Sequence, residues 1–182
     1  MTKKFSLIIT PEEAKKLFLK KSEPITINLD KPDALAEILV MIKGEKDEQY
    51  DFAITVIHNA PHTKSRIYVR STMEGSSSVN FAGTARINEN ADFSDTDLSH
   101  HTLLLSENSK TNTLPAMEIV SNTAKGNHAA TIGRINEEIL FYIESRGIDE
   151  LQAKKLIAEN FLKADISKLE TLSQTEIQKL MS

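Results

Sequence analysis

The chain has 182 residues, 26 acidic against 22 basic side chains, five histidines and no cysteine. Its 40% hydrophobic content suffices for one sizeable core, and a net charge of −4 gives no general argument for nucleic-acid or membrane-surface binding. The missing cysteines exclude disulfides, thiolate zinc sites, cysteine nucleophiles and cysteine-ligated iron–sulfur clusters built by this chain alone.

At the N-terminus two lysines precede an apolar stretch, Leu7-Ile8-Ile9, that is too short for a signal-peptide core. No apolar run reaches the roughly 18 residues that span a bilayer, so the expectation is a soluble cytoplasmic protein. Thr10-Pro-Glu-Glu13 is a helix start: Thr10 caps, Pro11 takes the first helical position and Glu13 completes a capping box. The helix is expected to run to about Lys21, making residues 1–23 an N-terminal helical segment. Pro24 to Leu29 alternates as a strand does. Ala34 to Ile42 is readable as a helix or as a buried strand. Asp51 to His58 alternates again, with Phe52, Ile54 and Val56 on one face.

From Ser71 to Ala130 the chain is dense in Ser, Thr and Asn, and its only Lys and Arg residues are Arg86, Lys110 and Lys125. Ser, Thr and Asn compete with helices for backbone hydrogen bonds. The apolar residues between them fall in alternating groups: Ile67/Val69, Val79/Phe81, Ala85/Ile87, Ala91/Phe93, Leu103/Leu105 and Met117/Ile119. Period two marks strands with one buried face, so residues 24–133 read as a β core. Val69, Ile87 and Leu105 are evenly spaced, and Ile119 follows after a slightly shorter interval. A loose period in the high teens suits stacked solenoid coils and a sandwich of short strands equally.

After Gly133 the pattern turns helical, and residues 134–182 read as an appendage able to cap one end of a solenoid. Ile139, Leu140 and Ile143 share a helix face that Gly147 ends. Asp149 with Gln152 opens a second helix, expected to bury Leu151, Leu156, Ile157 and Phe161. Ser173 with Glu176 caps a third.

Motifs for chemistry are sparse. GxGxxG, Walker A and GxSxG patterns are all absent, and Gly75-Ser-Ser-Ser reads as a turn. His58 and His62 have the spacing of a helical metal pair, but Pro61 between them makes a turn at a strand end the better reading. His100 and His101 would point to opposite faces of a strand and so read as solvated or turn histidines. Asp92, Asp95 and Asp97 offer oxygen ligands without EF-hand spacing and read as a solvated turn. They would serve a β-helix carbohydrate enzyme only if they converged, and three Tyr, seven Phe and no Trp leave little to stack sugars. His128 stands alone where strands give way to helices.

Several ordered motifs go further. His58-Asn-Ala-Pro-His-Thr-Lys-Ser65, Phe81-Ala-Gly-Thr-Ala-Arg-Ile87, Leu103-Leu-Leu-Ser106, Pro115-Ala-Met-Glu-Ile119 and Asn127-His-Ala-Ala-Thr131 resemble the core of the SufB/SufD family of iron–sulfur cluster assembly proteins. The most specific stretch is Arg134-Ile135 followed by Leu140-Phe-Tyr-Ile-Glu-Ser-Arg-Gly-Ile148, then Ala153 and Phe161. The resemblance covers about Asp51 to Lys163, more weakly from Pro24. It implies a mainly β fold, a right-handed parallel β-helix with a C-terminal helical region, and makes Ala34–Ile42 a strand.

It also implies a non-enzymatic assembly factor that dimerises through its β-helix, with a second copy or a SufB-like partner. Its C-terminal helices would dock an ABC-type ATPase like SufC. His128 matches a histidine at the pair interface implicated in cluster formation and is the candidate metal ligand. Phe141, Tyr142, Arg146 and Gly147 lie in the signature leading into the ATPase-docking helices. No tightly bound cofactor is expected, only a transient iron or iron–sulfur cluster shared with a partner. Three departures narrow this. The chain is shorter than typical members, Ile119 stands where the SufB-type scaffold carries cysteine, and Ala129 stands where relatives often have Gly or Glu. The first two favour a SufD-like partner over a scaffold; the alternative is a dimerising binding module without the cluster role.

Overall fold

The computed structural model describes residues 4–19 and 22–181, so the predicted helix end at Lys20 and Lys21 lies outside the described residues. Nine strands are present among them: β1 (Lys4–Ile9), β2 (Ile25–Leu29), β3 (Leu35–Gly44), β4 (Gln49–His58), β5 (Lys64–Met73), β6 (Ser78–Ile87), β7 (Asp95–Leu104), β8 (Lys110–Ile119) and β9 (Lys125–Arg134). They form two sheets, β1-β3-β5-β7-β9 and β2-β4-β6-β8, in which every pairing is parallel. From β2 onward, successive strands lie in opposite sheets. The chain therefore winds as a parallel β-solenoid of about four coils, as the family resemblance implied.

The coil is longer than the sequence spacing indicated. Leu35 pairs with Lys64, Lys64 with Asp95 and Asp95 with Lys125. Side chains that bond between successive coils are accordingly 29 to 32 positions apart in sequence. The even spacing of Val69, Ile87 and Leu105 is an echo of the half-coil: Val69 is on β5, Ile87 on β6 in the other sheet, and Leu105 lies just past β7. Ala91 and Phe93 are likewise in a turn, not a strand.

Register explains why alternation is legible. Parallel in-register pairing stacks like faces, so one interior column runs Ile38–Ile67–Leu98 and another Phe52–Phe81. These residues belong to one buried cluster. β3 is apolar almost throughout because it is covered on both sides, which is why Ala34–Ile42 lacks a period. The Leu7-Ile8-Ile9 stretch lies in β1, the edge strand beside β3.

Helix α1 (Pro11–Phe18) has the expected capping box between Thr10 and Glu13. It closes the N-terminal end of the solenoid: Ala14 and Phe18 are buried in the interior cluster, and the Phe18 ring stacks on Phe52 with centroids 4.3 Å apart.

The turns repeat with the coils. Asp33, His62 and Phe93, all with positive φ, occupy one corner of successive coils, and Lys46 and Gly75 the opposite corner. A Cβ on Gly75 would sit 2.7 Å from the Lys46 carbonyl oxygen, so only glycine fits there. A side-chain ladder ties the first corner together: Asn59 Nδ2 donates to Asp30 Oδ1 (2.6 Å), and Asn88 Nδ2 donates to Asn59 Oδ1 (2.5 Å). Asn59→Ala removes both bonds at a solvated site and should cost about 1–2 kcal/mol in urea unfolding. An unchanged midpoint would show that the ladder contributes nothing.

The C-terminal region comprises α2 (Glu137–Glu144), α3 (Glu150–Lys163), a 3-10 turn (Ile166–Lys168) and α4 (Gln174–Met181). Contrary to the sequence expectation, it does not cap the solenoid end. It lies along the outer face of the odd-strand sheet, where Leu162, Ile166 and Leu169 pack on Leu39, Met41 and Tyr68. The buried face of α3 also differs from the predicted one: Ala153, Ala158 and Leu162 are buried, whereas Leu151 is 77% and Leu156 45% exposed. Helical spacing located a second apolar stripe and could not say which stripe faced the sheet.

Two buried carboxylates hold this tail. Glu37 on β3 accepts from the backbone N–H groups of Glu170 (2.7 Å) and Thr171 (2.9 Å) and from the Thr171 hydroxyl. Asp165 accepts from Arg70 Nε at 2.5 Å, with Lys168 Nζ 2.7 Å away. Arg70 also stacks over the Phe161 ring at 4.8 Å.

Candidate functional site: the uncovered end of the solenoid

The two ends of the solenoid differ. α1 fills the N-terminal end, but among the described residues nothing follows β8 and β9 in their sheets. β9 pairs only with β7 and β8 only with β6, so each presents an open edge. The interior columns continue into these strands and come to the surface. Ile38–Ile67–Leu98 ends on His128, and Ile42–Ser71–Thr102 ends on Ile132. On β8, Met117 and Ile119 continue the columns of Val56–Ala85 and His58–Ile87. His128 is thus an inward-facing position, exposed because no further coil covers it. Gly126, on the same face, makes room for the Met117 and Ile119 side chains, which a Cβ there would strike.

The second candidate set is on the helices. Asn136 caps α2 by accepting from Glu138 and Ile139, and Gly147, at φ +87°, ends the segment as predicted. Phe141 (72%) and Tyr142 are exposed, as are Ile139 on the same helix and Leu151 on α3. Arg146 lies 5.1 Å over the Tyr142 ring and donates from Nη2 to its hydroxyl at 3.1 Å. Asp149 caps α3 through Gln152.

The remaining histidines divide between interior and surface. His58 ends β4 as expected, but it is fully buried: Nδ1 lies 2.8 Å from the Thr63 hydroxyl and Nε2 2.9 Å from that of Ser65. Burial lowers its pKa to about 4. His62 is exposed in the turn and stacks on Phe93 at 5.3 Å. His100 and His101 do face opposite ways, but His100 is not solvated. It points inward and is 2% exposed, its pKa lowered by burial to about 4. His101 faces outward and bonds Thr131 at 2.6 Å.

The aspartates separate along the coils. Asp92 accepts from Ser121 and Thr123 of the next coil, while Asp95 pairs with Arg66 of the preceding one and Asp97 with Tyr68 and Asn127. The three do not converge, which removes the basis for a carbohydrate-active carboxylate cluster. Among the described residues, no group of three or more His, Asp or Glu side chains is placed to hold a metal. No helix among them is long and apolar enough to cross a membrane.

Sequence reasoning missed His100, Glu37 and Asp165. Inward or outward parity along β7 depends on register, and the partners of Glu37 and the Arg70 partner of Asp165 lie far away in sequence.

These features define a parallel β-solenoid with one capped end, one open end and a helical tail strapped along a sheet. Residues 21–161 match the family model described as SUF system FeS cluster assembly, SufBD core domain. The chain belongs to this SufBD family of iron–sulfur cluster assembly proteins. It is similar to SufB of Bacillus subtilis, with 28% identity over 136 residues, 75% of this chain and 29% of that protein. A SufBD family protein of Mycobacterium tuberculosis is 26% identical over 148 residues, 81% of this chain and 18% of the relative. A chloroplastic SufBD family protein of Arabidopsis thaliana is 26% identical over 157 residues, 86% and 28% respectively. The chain spans less than a third of the length of these relatives.

Proposed function

We propose that the protein is a non-enzymatic, SufD-like component of an iron–sulfur cluster assembly complex. It pairs through the uncovered end of its solenoid, with a second copy when alone and with a SufB-like chain in the assembly. It docks a SufC-like ABC ATPase through α2 and α3, and iron or a nascent cluster passes its open end as cargo.

The observation carrying this reading is the contrast between the ends. Both leave strand edges unpaired, β1 and β2 at one and β8 and β9 at the other, but α1 covers the interior only at the first. At the second, Ile119 and Ile132 are exposed and Met117 half-buried, apolar surface that a partner would cover. His128 lies in the middle of that surface, with a neutral imidazole as a legitimate iron ligand. With no thiol in the chain and Ile119 following Glu118, sulfur ligands must come from added sulfide or a partner's cysteines. This favours an accessory role over a scaffold. The exposed Ile139, Phe141, Tyr142 and Leu151 supply the apolar patch for the ATPase.

Light scattering should give twice the chain mass of 20.3 kDa; a monodisperse species at the single mass ends the pairing reading. Docking is tested by Phe141→Ser combined with Leu151→Ser, which should abolish co-purification with the cognate ATPase without changing the circular dichroism. Deleting residues 149–182 is unsuitable, because it would uncover Leu39, Met41 and Tyr68. His128→Ala should impair cluster formation in a reconstituted complex. Unimpaired formation would leave the protein as a pairing module without a cluster role.

A further inference from the structure

We propose that His100 joins His128 in holding one divalent transition-metal ion at the open end of the solenoid, His100 as the inner ligand and His128 turned inward as the outer one. This rests on the reading of His128 given above and adds a residue to it.

The argument begins with an internal comparison. His58 and His100 both point into the solenoid interior. His58 has both ring nitrogens closed by hydroxyls, those of Thr63 and Ser65. His100 has only one closed: Nε2 lies 3.0 Å from Ser71 Oγ and 3.1 Å from Thr102 Oγ1, while Nδ1 is buried without a partner. An unpaired buried polar atom costs about 1–3 kcal/mol, so a purely structural histidine would be expected to look like His58.

The direction of the open nitrogen follows from its neighbour. Ser71 belongs to the preceding coil, paired in register with Thr102. The two nitrogens of an imidazole point in divergent directions. With Nε2 turned toward the preceding coil, Nδ1 is turned away from it, toward the uncovered end. The columns place His128 close by. Leu98 pairs with His128 and His100 with Ala130, so the two histidines are inward-facing diagonal neighbours on adjacent strands. With parallel strands about 4.8 Å apart and a rise of about 6.6 Å over two residues, such positions lie about 8 Å apart, a separation that two imidazoles can span through an ion about 2.1 Å from each nitrogen.

The lining fits a borderline metal. The interior is apolar in the coil of β3 and β4 apart from His58 at the end of β4, but carries Thr96, His100, Thr102, Thr111 and Thr113 in the coil of β7 and β8. The Thr113 hydroxyl also lacks a partner, and it lies on the strand facing His100: Thr102 meets Thr111 at 3.2 Å, and each of the other two residues is two positions along from that contact. Met117 adds a thioether further along β8. Two imidazoles suit iron, zinc, copper and nickel, and water or a partner chain completes the coordination.

The test is titration of the full chain with Co²⁺ alone in a non-coordinating buffer, followed by visible absorption and calorimetry. X-ray absorption on the loaded wild type counts imidazoles. One ion per chain and two imidazoles are expected. His100→Phe, which fills the interior, and His128→Ala should each weaken binding by at least about 10-fold, whereas His62→Ala should not. Wild-type affinity in His100→Phe, a count of one imidazole or fewer, or no Co²⁺ binding overturns the proposal. If His100→Phe does not fold, the imidazole count on the wild type decides. Loss in His128→Ala alone removes His100 and leaves the His128 reading standing; failure of pairing or ATPase docking leaves the metal result untouched.

Discussion

Between pH 7 and pH 5, in metal-free buffer, the protein should lose about 4 kcal/mol of unfolding free energy, about 2 from each of two buried histidines. His58 and His100 are held neutral with folded pKa values of about 4, in both cases chiefly because burial penalises the imidazolium. His101, on the other face, adds a smaller push against protonation of His100. In the unfolded chain the same groups titrate at about 6.5. The unfolded state therefore takes up protons first as the pH falls, and stability drains away below pH 6.5 until the folded pKa is reached. Most carboxylates are still ionised at pH 5, so the histidines dominate that window. Urea unfolding at pH 7, 6 and 5 measures the loss, which is a large part of the roughly 5–15 kcal/mol typical of a domain. His100→Phe should flatten the profile by half. A stability independent of pH over this range would mean that neither imidazole is buried as described.

Asp165→Ala should cost about 3 kcal/mol and loosen the tail without unwinding the solenoid. The side chain of Asp165 is fully buried and that of its partner Arg70 nearly so. Burial alone would raise the Asp165 carboxyl, but the hydrogen bond from Arg70 and the ammonium of Lys168 hold it below its ordinary value. Removing it leaves the Arg70 guanidinium in place under Phe161 without its acceptor, the circumstance in which breaking a buried pair costs about 3–5 kcal/mol. Hydrogen exchange should show the loss first in residues 162–172, whose apolar side chains cover Leu39, Met41 and Tyr68. Asp165→Asn, which keeps an acceptor oxygen, should cost less. Equal protection of the tail in wild type and Asp165→Ala would show that Glu37 and the apolar contacts suffice. The prediction bears on function because the tail continues directly from the helices proposed to meet the ATPase, and Arg70 ties it to the sheet that ends in β9.

Much of the architecture is written in local pattern. Capping boxes at Thr10 and Ser173 and the Asp149 cap are present where expected, since a cap is a contact between residues three apart. Strands β4 and β6 are legible because one face of each is buried and the other is wetter. The ordered motifs from His58 to Ile148 identify the family and with it the solenoid. They also single out His128 and the Phe141–Gly147 segment. The coil length is not legible, because turns of unequal length blur the full repeat and leave the shorter half-coil echo more visible.

What the sequence determined by itself was therefore most of the strands and helices, the family, and the constraint that no thiol of this chain can hold a cluster. The tertiary structure alone decided which residue of the His100–His101 pair enters the interior and which stripe of α3 meets the sheet. It alone decided that Glu37 and Asp165 anchor the tail and that the C-terminal end, not the N-terminal one, is uncovered. The reason is physical. Alternation specifies two faces without naming the inner one. The naming is done by strand register between residues a whole coil apart, and by tail contacts spanning 95 to 134 positions.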